Sequence, residues 1–211
     1  MTNLDQVVAL NRAQHQSETD RFTAGRYKQF VRHFPENTRD VLDVGCNTGR
    51  GGPVIKALVP ALRLTGIDCV PERTAALDPL VYAERICGSA DKIPLASESF
   101  DAIVAGEFLQ ALPPNLVDAA LCEFFRLLRP KAVLLLTTPN PSYLRNKFNG
   151  TSVLGGAHLS QHHAGSLRRR LRDIGFSGVK VRGSGLVSSV VGERFPIRSV
   201  YGSYLVRARK W

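Results

Sequence analysis

The sequence lacks the features that mark membrane-spanning, secreted and repetitive proteins. No apolar run approaches the roughly 18–20 residues that a membrane-spanning helix needs, and the longest candidate, Ala132–Leu136, has only the length of a buried strand. Residues 1–11 contain no basic leader followed by a long apolar stretch, so no secretory signal is expected. Internal repeats and low-complexity segments are also missing. These absences predict a globular protein located in the cytoplasm.

Cysteine occurs four times, as Cys46, Cys69, Cys87 and Cys122, but never as a Cys-x-x-Cys pair. Such wide spacing supports neither a zinc knuckle nor a redox motif. Three of the four residues lie in or beside predicted strands, so we expect reduced thiols buried in the core. No metal site is predicted.

The composition is otherwise that of one globular domain. The 211 residues are 44% hydrophobic and 22% charged, and this length is sufficient to bury a substantial core. The formal net charge of +10 favours anionic partners, namely nucleic acid, phosphorylated substrates or acidic membrane surfaces. The densest basic run, Arg168–Arg172, is more typical of the solvated face of a helix than of a specific docking site.

Strand and helix patterns alternate along most of the chain. Residues 1–38 are predicted to form a helical lid, and residues 39–211 one domain. Short apolar runs predict strands at 41–44, 64–67, 83–87, 100–105, 132–136, 179–181 and 203–208. Helices are predicted at 54–59, after Pro71, at 115–128 and at 166–174, where Gly175 is the expected C-cap. This alternation predicts an α/β fold with a mostly parallel, doubly wound sheet covered by helices on both faces.

Two segments interrupt the alternation. Residues 138–165 and 183–202 contain several glycines and prolines, and they are predicted to be irregular. Long connections in compact domains are often functional.

A glycine-rich turn follows the first predicted strand. Residues 41–52 read Val-Leu-Asp-Val-Gly-Cys-Asn-Thr-Gly-Arg-Gly-Gly. Glycine lets the backbone approach a ligand closely, and amides at a helix N-terminus can face polar ligand atoms. Asp68 ends the next predicted strand, where a carboxylate can accept hydrogen bonds from both hydroxyls of a ribose. Together these elements predict a ligand that contains adenosine.

The order of the glycines separates this turn from a dinucleotide-binding turn, which would read Gly-x-Gly-x-x-Gly. Here Gly45, Gly49 and Gly51 follow Asp43. That order resembles motif I of the class I S-adenosylmethionine-dependent methyltransferases, with Asn47 where glycine is usual. Asn tolerates a left-handed backbone, so the turn is expected to persist.

Further segments resemble motifs of the same family and occur in the same order. They are residues 66–68, 88–95, 99–104, 107–112, 125–134 and 137–140. The resemblance covers roughly residues 39–140 and is to the small-molecule branch, which is methyltransferase type 11-like. Residues from His158 to Phe176 also resemble that branch.

The resemblance implies a Rossmann-like, seven-stranded fold and S-adenosylmethionine as the cofactor. The implied cofactor-binding residues are Asp43, Gly45, Cys46, Asn47, Gly49, Asp68, Cys69, Ser89, Ala90, Glu107 and Phe108. Residues of the turn would surround the methionine part of the cofactor, and Glu107 and Phe108 would lie beside it. Asp68 would hold the ribose, while Cys69, Ser89 and Ala90 would lie near adenine.

Three further segments depart from the family's pattern. Ser89 stands where an aspartate usually accepts the adenine amino group, Ala111 replaces a usual histidine, and Lys131-Ala132 replaces Gly-Gly. A hydroxyl is a weaker acceptor than a carboxylate, so these substitutions either lower the affinity for the cofactor or mark a diverged subfamily.

The segment after the fifth predicted strand contains the candidate catalytic residues. Positioning supplies much of the rate of an in-line methyl transfer, and a general base helps when the acceptor is a hydroxyl. His158 is the candidate base. Tyr143, Arg145, Lys147 and His162 are candidate acceptor contacts, although a role as surface or tethering residues is equally open for them.

The leading hypothesis is an enzyme that methylates a small molecule, such as a sugar or secondary metabolite, on oxygen or nitrogen. An anionic acceptor would suit the net charge. Two alternatives stay open. A nucleic-acid methyltransferase agrees with the charge of +10, but no Asn/Asp-Pro-Pro-Tyr/Phe tetrapeptide follows the fourth strand. A cofactor-binding module without activity agrees with the substitutions at Ser89 and Ala111. A dinucleotide reductase is less well supported than either.

Overall fold

The computed structural model describes residues 4–13 and 21–211. Residues 1–3 and 14–20 of the predicted lid lie outside this part. The helices described are α1 Leu4–Arg12, α2 Thr23–Val31, α3 Gly52–Leu58, α4 Pro71–Ala75, α5 Pro114–Leu127, α6 Leu144–Phe148, α7 Ala164–Ile174 and α8 Leu186–Val191. The strands are β1 Asp40–Val44, β2 Arg63–Asp68, β3 Glu84–Cys87, β4 Phe100–Ala105, β5 Leu128–Pro139, β6 Ser177–Ser184 and β7 Ser203–Arg209. Short 3-10 turns cover Leu109–Ala111 and Arg198–Val200.

The strands form one seven-stranded sheet in the order β3-β2-β1-β4-β5-β7-β6. Strands β1 to β5 pair in parallel, whereas β7 is antiparallel to both β5 and β6. The predicted Rossmann-like, mostly parallel sheet is therefore confirmed. The strand order reverses between β1 and β4, and ligands of such sheets bind beyond the carboxyl ends of the strands at that point.

Apolar side chains cover both faces of the sheet. On the side of α5 and α7, Leu134 belongs to the same buried cluster as Phe124. On the side of α2 and α3, Val133 belongs to a second cluster with Phe30. Successive side chains of a strand point to opposite faces. A strand buried on both faces is therefore apolar at consecutive positions, which explains the continuous run in β5.

Local signals set several helix ends. Pro53 and Pro71 stand in the first turns of α3 and α4, where the missing amide hydrogen costs nothing. The predicted C-cap is confirmed, because Gly175 has a φ of 117° at the end of α7. Lys131, at a position where the family usually has glycine, has a φ of 70°.

The prediction that residues 138–165 and 183–202 are irregular was partly wrong. The first segment contains α6, and the second contains α8 and a 3-10 turn. The residues of α8 read Leu-Val-Ser-Ser-Val-Val and none is buried. Helix α8 is not predicted from the sequence, because β-branched residues have low helix propensity.

The prediction of four buried thiols was also partly wrong. All four cysteines are free, but only Cys46 is buried, while Cys69 is half-buried and Cys87 and Cys122 are exposed. Cys87 lies on β3, an edge strand with alternating exposure, and an edge strand is not covered on every side. Cys122 lies on the solvent side of α5, next to the buried Leu121.

Within residues 4–13 and 21–211, no helix is both long and apolar enough to span a membrane.

Candidate active site

A cleft of about 590 Å³ opens at the carboxyl ends of the parallel strands. Its lining includes Gly45 after β1, Asp68 at the end of β2, Ser89 after β3 and Glu107 after β4. These positions surround the point where the strand order reverses. The volume lies within the range of pockets that hold cofactor-sized ligands.

The cleft brings together most of the residues predicted from the sequence. Those that line it are Gly45, Cys46, Asn47, Asp68, Cys69, Ser89, Ala90, Glu107, Phe108 and His158. The predicted residues that are not part of its lining are Asp43, Gly49, Tyr143, Arg145, Lys147 and His162.

The turn after β1 has the shape that its glycines require. Gly45, Asn47 and Gly49 have φ values of 65°, 53° and 83°, so the expected left-handed conformation of Asn47 is present. A Cβ atom on Gly45 would lie 2.5 Å from Cδ2 of Phe108. Only glycine fits this close approach, because any side chain here would meet the Phe108 ring.

Three amides of this turn donate hydrogen bonds to acceptors within the protein. Gly45 N and Cys46 N donate to Ile67 O at 2.8 and 3.2 Å, and Asn47 N donates to Asp68 Oδ2 at 3.0 Å. These three amides already have acceptors within the protein. The turn contributes a close-fitting backbone surface.

Asp68 is the carboxylate at the floor of the cleft. Val70 N donates to its Oδ1 at 3.0 Å, and Arg73 Nη1 lies 3.8 Å from the same oxygen. Burial raises the pKa of Asp68, while the hydrogen bonds and Arg73 act in the opposite direction. A carboxylate has about four lone-pair sites, so Asp68 can accept further hydrogen bonds from a ligand.

Asp43 lies behind the turn, fully buried. Tyr27 Oη donates to its Oδ1 at 2.7 Å, and Tyr82 Oη donates to its Oδ2 at 2.8 Å. Burial raises the pKa of Asp43 to about 7, although both tyrosines act to lower it. Asp43 therefore stabilises the end of β1, just before the turn, by accepting hydrogen bonds from two tyrosines that belong to distant parts of the chain.

Ser89 has a carboxylate partner close in sequence. Its hydroxyl donates a hydrogen bond to the Asp91 side chain. Because the proton is directed to Asp91, the lone pairs of the Ser89 oxygen remain available to a donor in the cleft. Hydrogen-bond chains polarise their members, so Asp91 makes Ser89 a better acceptor than an isolated hydroxyl.

Glu107 combines backbone strain with an unsatisfied acceptor. Its φ is 51°, its amide donates to Thr137 Oγ1 at 2.9 Å, and Arg26 Nε lies 3.8 Å from its Oε1. That buried Oε1 accepts no hydrogen bond from the described residues. Strained residues cluster at ligand sites, and an acceptor at this position suits the ammonium group of an amino acid.

His158 lines the cleft in a defined tautomer. Its Nδ1 lies 2.9 Å from Val153 O. Since a carbonyl oxygen only accepts, Nδ1 carries the hydrogen, and Nε2 of the neutral ring keeps its lone pair. With Nδ1 donating to Val153 O, Nε2 is the nitrogen through which the neutral ring could accept a proton.

His162 occupies a different position. It is buried, its Nε2 lies 3.0 Å from Ser160 Oγ, and that hydroxyl donates to Leu109 O at 3.0 Å. Burial lowers the pKa of His162, which favours the neutral ring. These contacts tie the segment before α7 to the connection after β4. Tyr143 is half-buried at the start of α6, and Arg145 is exposed on that helix.

Several residues around the site were not found from the sequence. Tyr27 and Tyr82 are not among the predicted site residues, yet both donate hydrogen bonds to Asp43. Arg73 donates to Asn11 O and lies beside Asp68, which joins α1 to the tip of β2. Arg26 lines the cleft. No local motif marks these residues, because their contacts join segments far apart in the chain.

The comparisons with known proteins agree with this geometry. Residues 42–136 match the family described as methyltransferase domain. The chain is 31% identical over 144 residues to the malonyl-[acyl-carrier protein] O-methyltransferase of Laribacter hongkongensis, which covers 62% of this chain and 47% of that protein. The chain spans about half the length of the curated relatives it matches.

Two solved structures show the same fold. A SAM-dependent methyltransferase from Archaeoglobus fulgidus has a TM-score of 0.68 at 19% identity, covering 89% of this chain and 92% of that chain. Phosphoethanolamine N-methyltransferase 2 of Haemonchus contortus, solved with S-adenosyl-L-methionine, has a TM-score of 0.65 at 13% identity, covering 89% of this chain and 52% of that chain.

Residues 42–136 therefore match a methyltransferase domain, and the solved structures show that the chain has the fold of SAM-dependent methyltransferases. The fold predicted from the sequence is thereby confirmed, and the matches agree with the predicted family and cofactor. The Asp68 carboxylate could accept hydrogen bonds from the ribose hydroxyls of S-adenosylmethionine. The Glu107 Oε1 could accept from its ammonium group, and Gly45 lets the backbone lie close to the cofactor.

Proposed function

We propose that this protein transfers the methyl group of S-adenosylmethionine to a small-molecule acceptor. The observation that carries the proposal is the position of Asp68. Its carboxylate stands at the tip of β2, its Oδ2 lies 3.0 Å from Asn47 N, and it faces the cleft formed with the turn after β1. The sugar or secondary metabolite expected from the sequence, methylated on oxygen or nitrogen, is the acceptor class within this proposal.

The cofactor would be held by groups around the cleft. Asp68 would accept from the ribose hydroxyls, and Ser89, supported by Asp91, would accept from the adenine amino group. Ala90 and Cys69 would lie near the adenine ring. Glu107 would accept from the ammonium group. S-adenosylmethionine supplies a methyl group on a positively charged sulfur, which makes that methyl group electrophilic.

Asp43 and Gly49 would act on the cofactor through the turn. Gly49 is buried, and a Cβ on it would lie 2.7 Å from Cδ2 of Leu77. Asp43 holds Tyr27 and Tyr82. Both residues would set the path of the backbone that Gly45, Cys46 and Asn47 present to the methionine part.

His158 would act on the acceptor. Its Nε2 can remove a proton from an acceptor hydroxyl or amine, since Nδ1 is held by Val153 O. The weaker candidates for acceptor contacts are Tyr143, Arg145, Lys147 and His162, because none of the four lines the cleft.

The N-terminal segment would act as a lid over the cleft. Val7 and Asn11 of α1 and Tyr27 of α2 line it. Arg12 forms an ion pair with Glu72 on α4, with Nη2 and Oε1 3.1 Å apart. These contacts support the proposed division at residue 38. A cytosolic location is also part of this proposal, and it rests on the sequence alone.

Transfer is tested with S-adenosylmethionine that carries a radiolabelled methyl group, offered together with panels of hydroxyl, amine and carboxylate acceptors. Labelled product is expected with at least one small molecule. His158→Gln is expected to lower kcat by roughly 10²-fold or more without changing the affinity for S-adenosylhomocysteine. Labelling of RNA alone, or cofactor binding without any transfer, would reject the proposal.

A further inference from the structure

The connections after β5 and β6 expose many large apolar side chains. They comprise residues 140–163 and 185–202, and both leave the sheet at the carboxyl ends of their strands. Eight of the twelve exposed large hydrophobic side chains in the described part of the chain lie in them. Phe148 on α6 is 85% exposed and Val190 on α8 is 79% exposed. Clustered exposure of this kind marks an interaction surface.

A buried asparagine joins the two connections. Asn140 Nδ2 donates to Arg198 O at 3.0 Å and to Tyr201 O at 2.9 Å. Asn140 N donates to Gly202 O at 2.8 Å. Helix α6 therefore lies beside the 3-10 turn at residues 198–200, and the two connections form one side of the molecule. We call the exposed residues of 144–154 and 186–198 the rim surface.

The rim surface is positively charged. Arg145, Lys147, Arg194 and Arg198 are exposed on it. The one acidic residue in the two connections is Glu193.

The Glu193 carboxylate already has partners within the protein. His33 Nε2 lies 2.9 Å from its Oε2, Gln29 Nε2 donates to the same oxygen at 3.0 Å, and Arg182 bonds its Oε1. The rim surface thus combines projecting apolar groups with cations and no exposed carboxylate.

We propose that the rim surface binds the interface of an anionic lipid bilayer. Apolar side chains on short amphipathic elements enter the boundary between head groups and acyl chains, while neighbouring arginine and lysine side chains meet lipid phosphates. Helix α6 presents both kinds of residue, since Leu144 and Phe148 stand at its two ends and Arg145 and Lys147 lie between them.

A bilayer explains the shape of this surface better than an acidic protein does. Phe148 and Val190 project outwards and line neither the cleft nor the pockets beside β6 and α7. A protein partner would need a complementary surface for such side chains, whereas a bilayer accepts them without matched shape.

The bilayer would lie close to the acceptor side of the cleft. His158 belongs to the first connection and Ser203 follows the second, and both line the cleft. An acceptor held at the bilayer would therefore enter next to His158. This consequence rests on the proposed methyl transfer, whereas bilayer binding itself does not.

The test is sedimentation of the full chain with vesicles of phosphatidylcholine and phosphatidylglycerol, compared with phosphatidylcholine alone. Binding is expected only with the anionic vesicles and should weaken as salt is added, because the attraction is screened. The double variant Phe148→Asp/Val190→Asp should need at least about tenfold more lipid for half-maximal binding, because two apolar anchors are lost and charge is reversed.

A matched control is Leu80→Asp. Leu80 is 89% exposed but precedes β3 at the opposite end of the sheet, so its replacement should leave vesicle binding unchanged. Thermal unfolding of each variant checks that the fold is intact.

Three results would overturn the proposal. They are equal binding to both kinds of vesicle, equal loss in the Leu80→Asp control, and no vesicle binding by the wild-type chain. In the last case, salt-sensitive binding to soluble polyglutamate that depends on Phe148 and Val190 would assign the rim surface to an acidic protein instead.

Discussion

The strand tips around Asp68 and the rim surface lie at the same end of the sheet, but they are organised in opposite ways. Around the tips, Asp43 and Asp68 are buried carboxylates, and each accepts two hydrogen bonds from within the protein. On the rim surface, apolar and basic side chains project into solvent. A ligand with fixed hydrogen-bond positions requires preorganised groups, whereas a fluid interface requires only exposed apolar area and charge.

The comparison predicts where substitutions will be costly. Changes at the strand tips should alter stability or cofactor affinity, because the groups there are held by several partners. The same kinds of change on the rim surface should cost less stability and should leave cofactor affinity unchanged.

The largest expected effect is on the pH dependence of stability, through Asp43. Burial raises the pKa of Asp43 to about 7 in the folded protein, against about 3.9 for an unfolded aspartate. The folded state therefore keeps a proton that the unfolded chain releases. This contribution to stability is fully present below about pH 4 and is lost as the pH rises to about 7.

Relative to Asp43→Asn, the wild-type protein should lose about 4 kcal/mol of unfolding free energy over that range. Urea unfolding of both proteins at intervals from roughly pH 4 to pH 8 measures the difference. Asp118→Asn, which changes an exposed carboxylate on α5, is the control. Parallel pH profiles for wild type and Asp43→Asn would show that Asp43 does not behave as a buried acid.

A pair of glycine substitutions gives the next largest effect. Gly45 and Gly150 have similar φ values of 65° and 62°, and alanine in this region costs about 1–2 kcal/mol. Only at Gly45 would the new Cβ meet another atom, since nothing lies within 4 Å of the position at Gly150.

Gly45→Ala should lower the unfolding free energy by about 2–4 kcal/mol and weaken cofactor binding, because overpacking adds to the backbone cost. Gly150→Ala should cost about 1–2 kcal/mol and leave cofactor affinity unchanged. Chemical denaturation and calorimetric titration check both. Equal losses of unfolding free energy at the two positions would mean that the Phe108 ring does not exclude a side chain at residue 45.

The smallest expected effect concerns Ser89. Removing its hydroxyl in Ser89→Ala should weaken S-adenosylmethionine binding by roughly 2- to 13-fold, which corresponds to one hydrogen bond of about 0.5–1.5 kcal/mol. Asp91→Asn should give a smaller loss, since it acts through Ser89. Ser189→Ala on the rim surface removes a hydroxyl that bonds Leu186 O and should have no effect. An unchanged affinity in Ser89→Ala would remove Ser89 from the adenine site.

The strand-and-turn part of the site could be predicted because its signals are local. Residues 41–52 contain both a buried strand and its glycine-rich turn, and Asp68 closes the next apolar run. The topology of the sheet then brings these two positions together. The positive φ of Asn47 also follows from its residue type.

The supporting contacts could not be predicted, because they join residues that no pattern connects. Tyr82 lies 39 positions from Asp43, and Gln29 lies 164 positions from Glu193. Helix α8 was missed since its Leu-Val-Ser-Ser-Val-Val sequence lacks the periodicity of a helix with one buried face. The roles of Tyr143, Arg145 and His162 depend on an acceptor and stay predictions.

The central claim is that Asp68 holds the ribose of S-adenosylmethionine in the cleft beside the turn after β1. Calorimetric titration of the wild type, Asp68→Asn and Asp68→Ala with S-adenosylmethionine and S-adenosylhomocysteine tests it most directly. The account predicts tight binding of both compounds by the wild type. In Asp68→Ala the affinity should fall by more than about tenfold, since charge-assisted hydrogen bonds contribute about 1.5–3 kcal/mol, and Asp68→Asn should lie between. An unchanged affinity in a correctly folded Asp68→Ala protein would contradict the account.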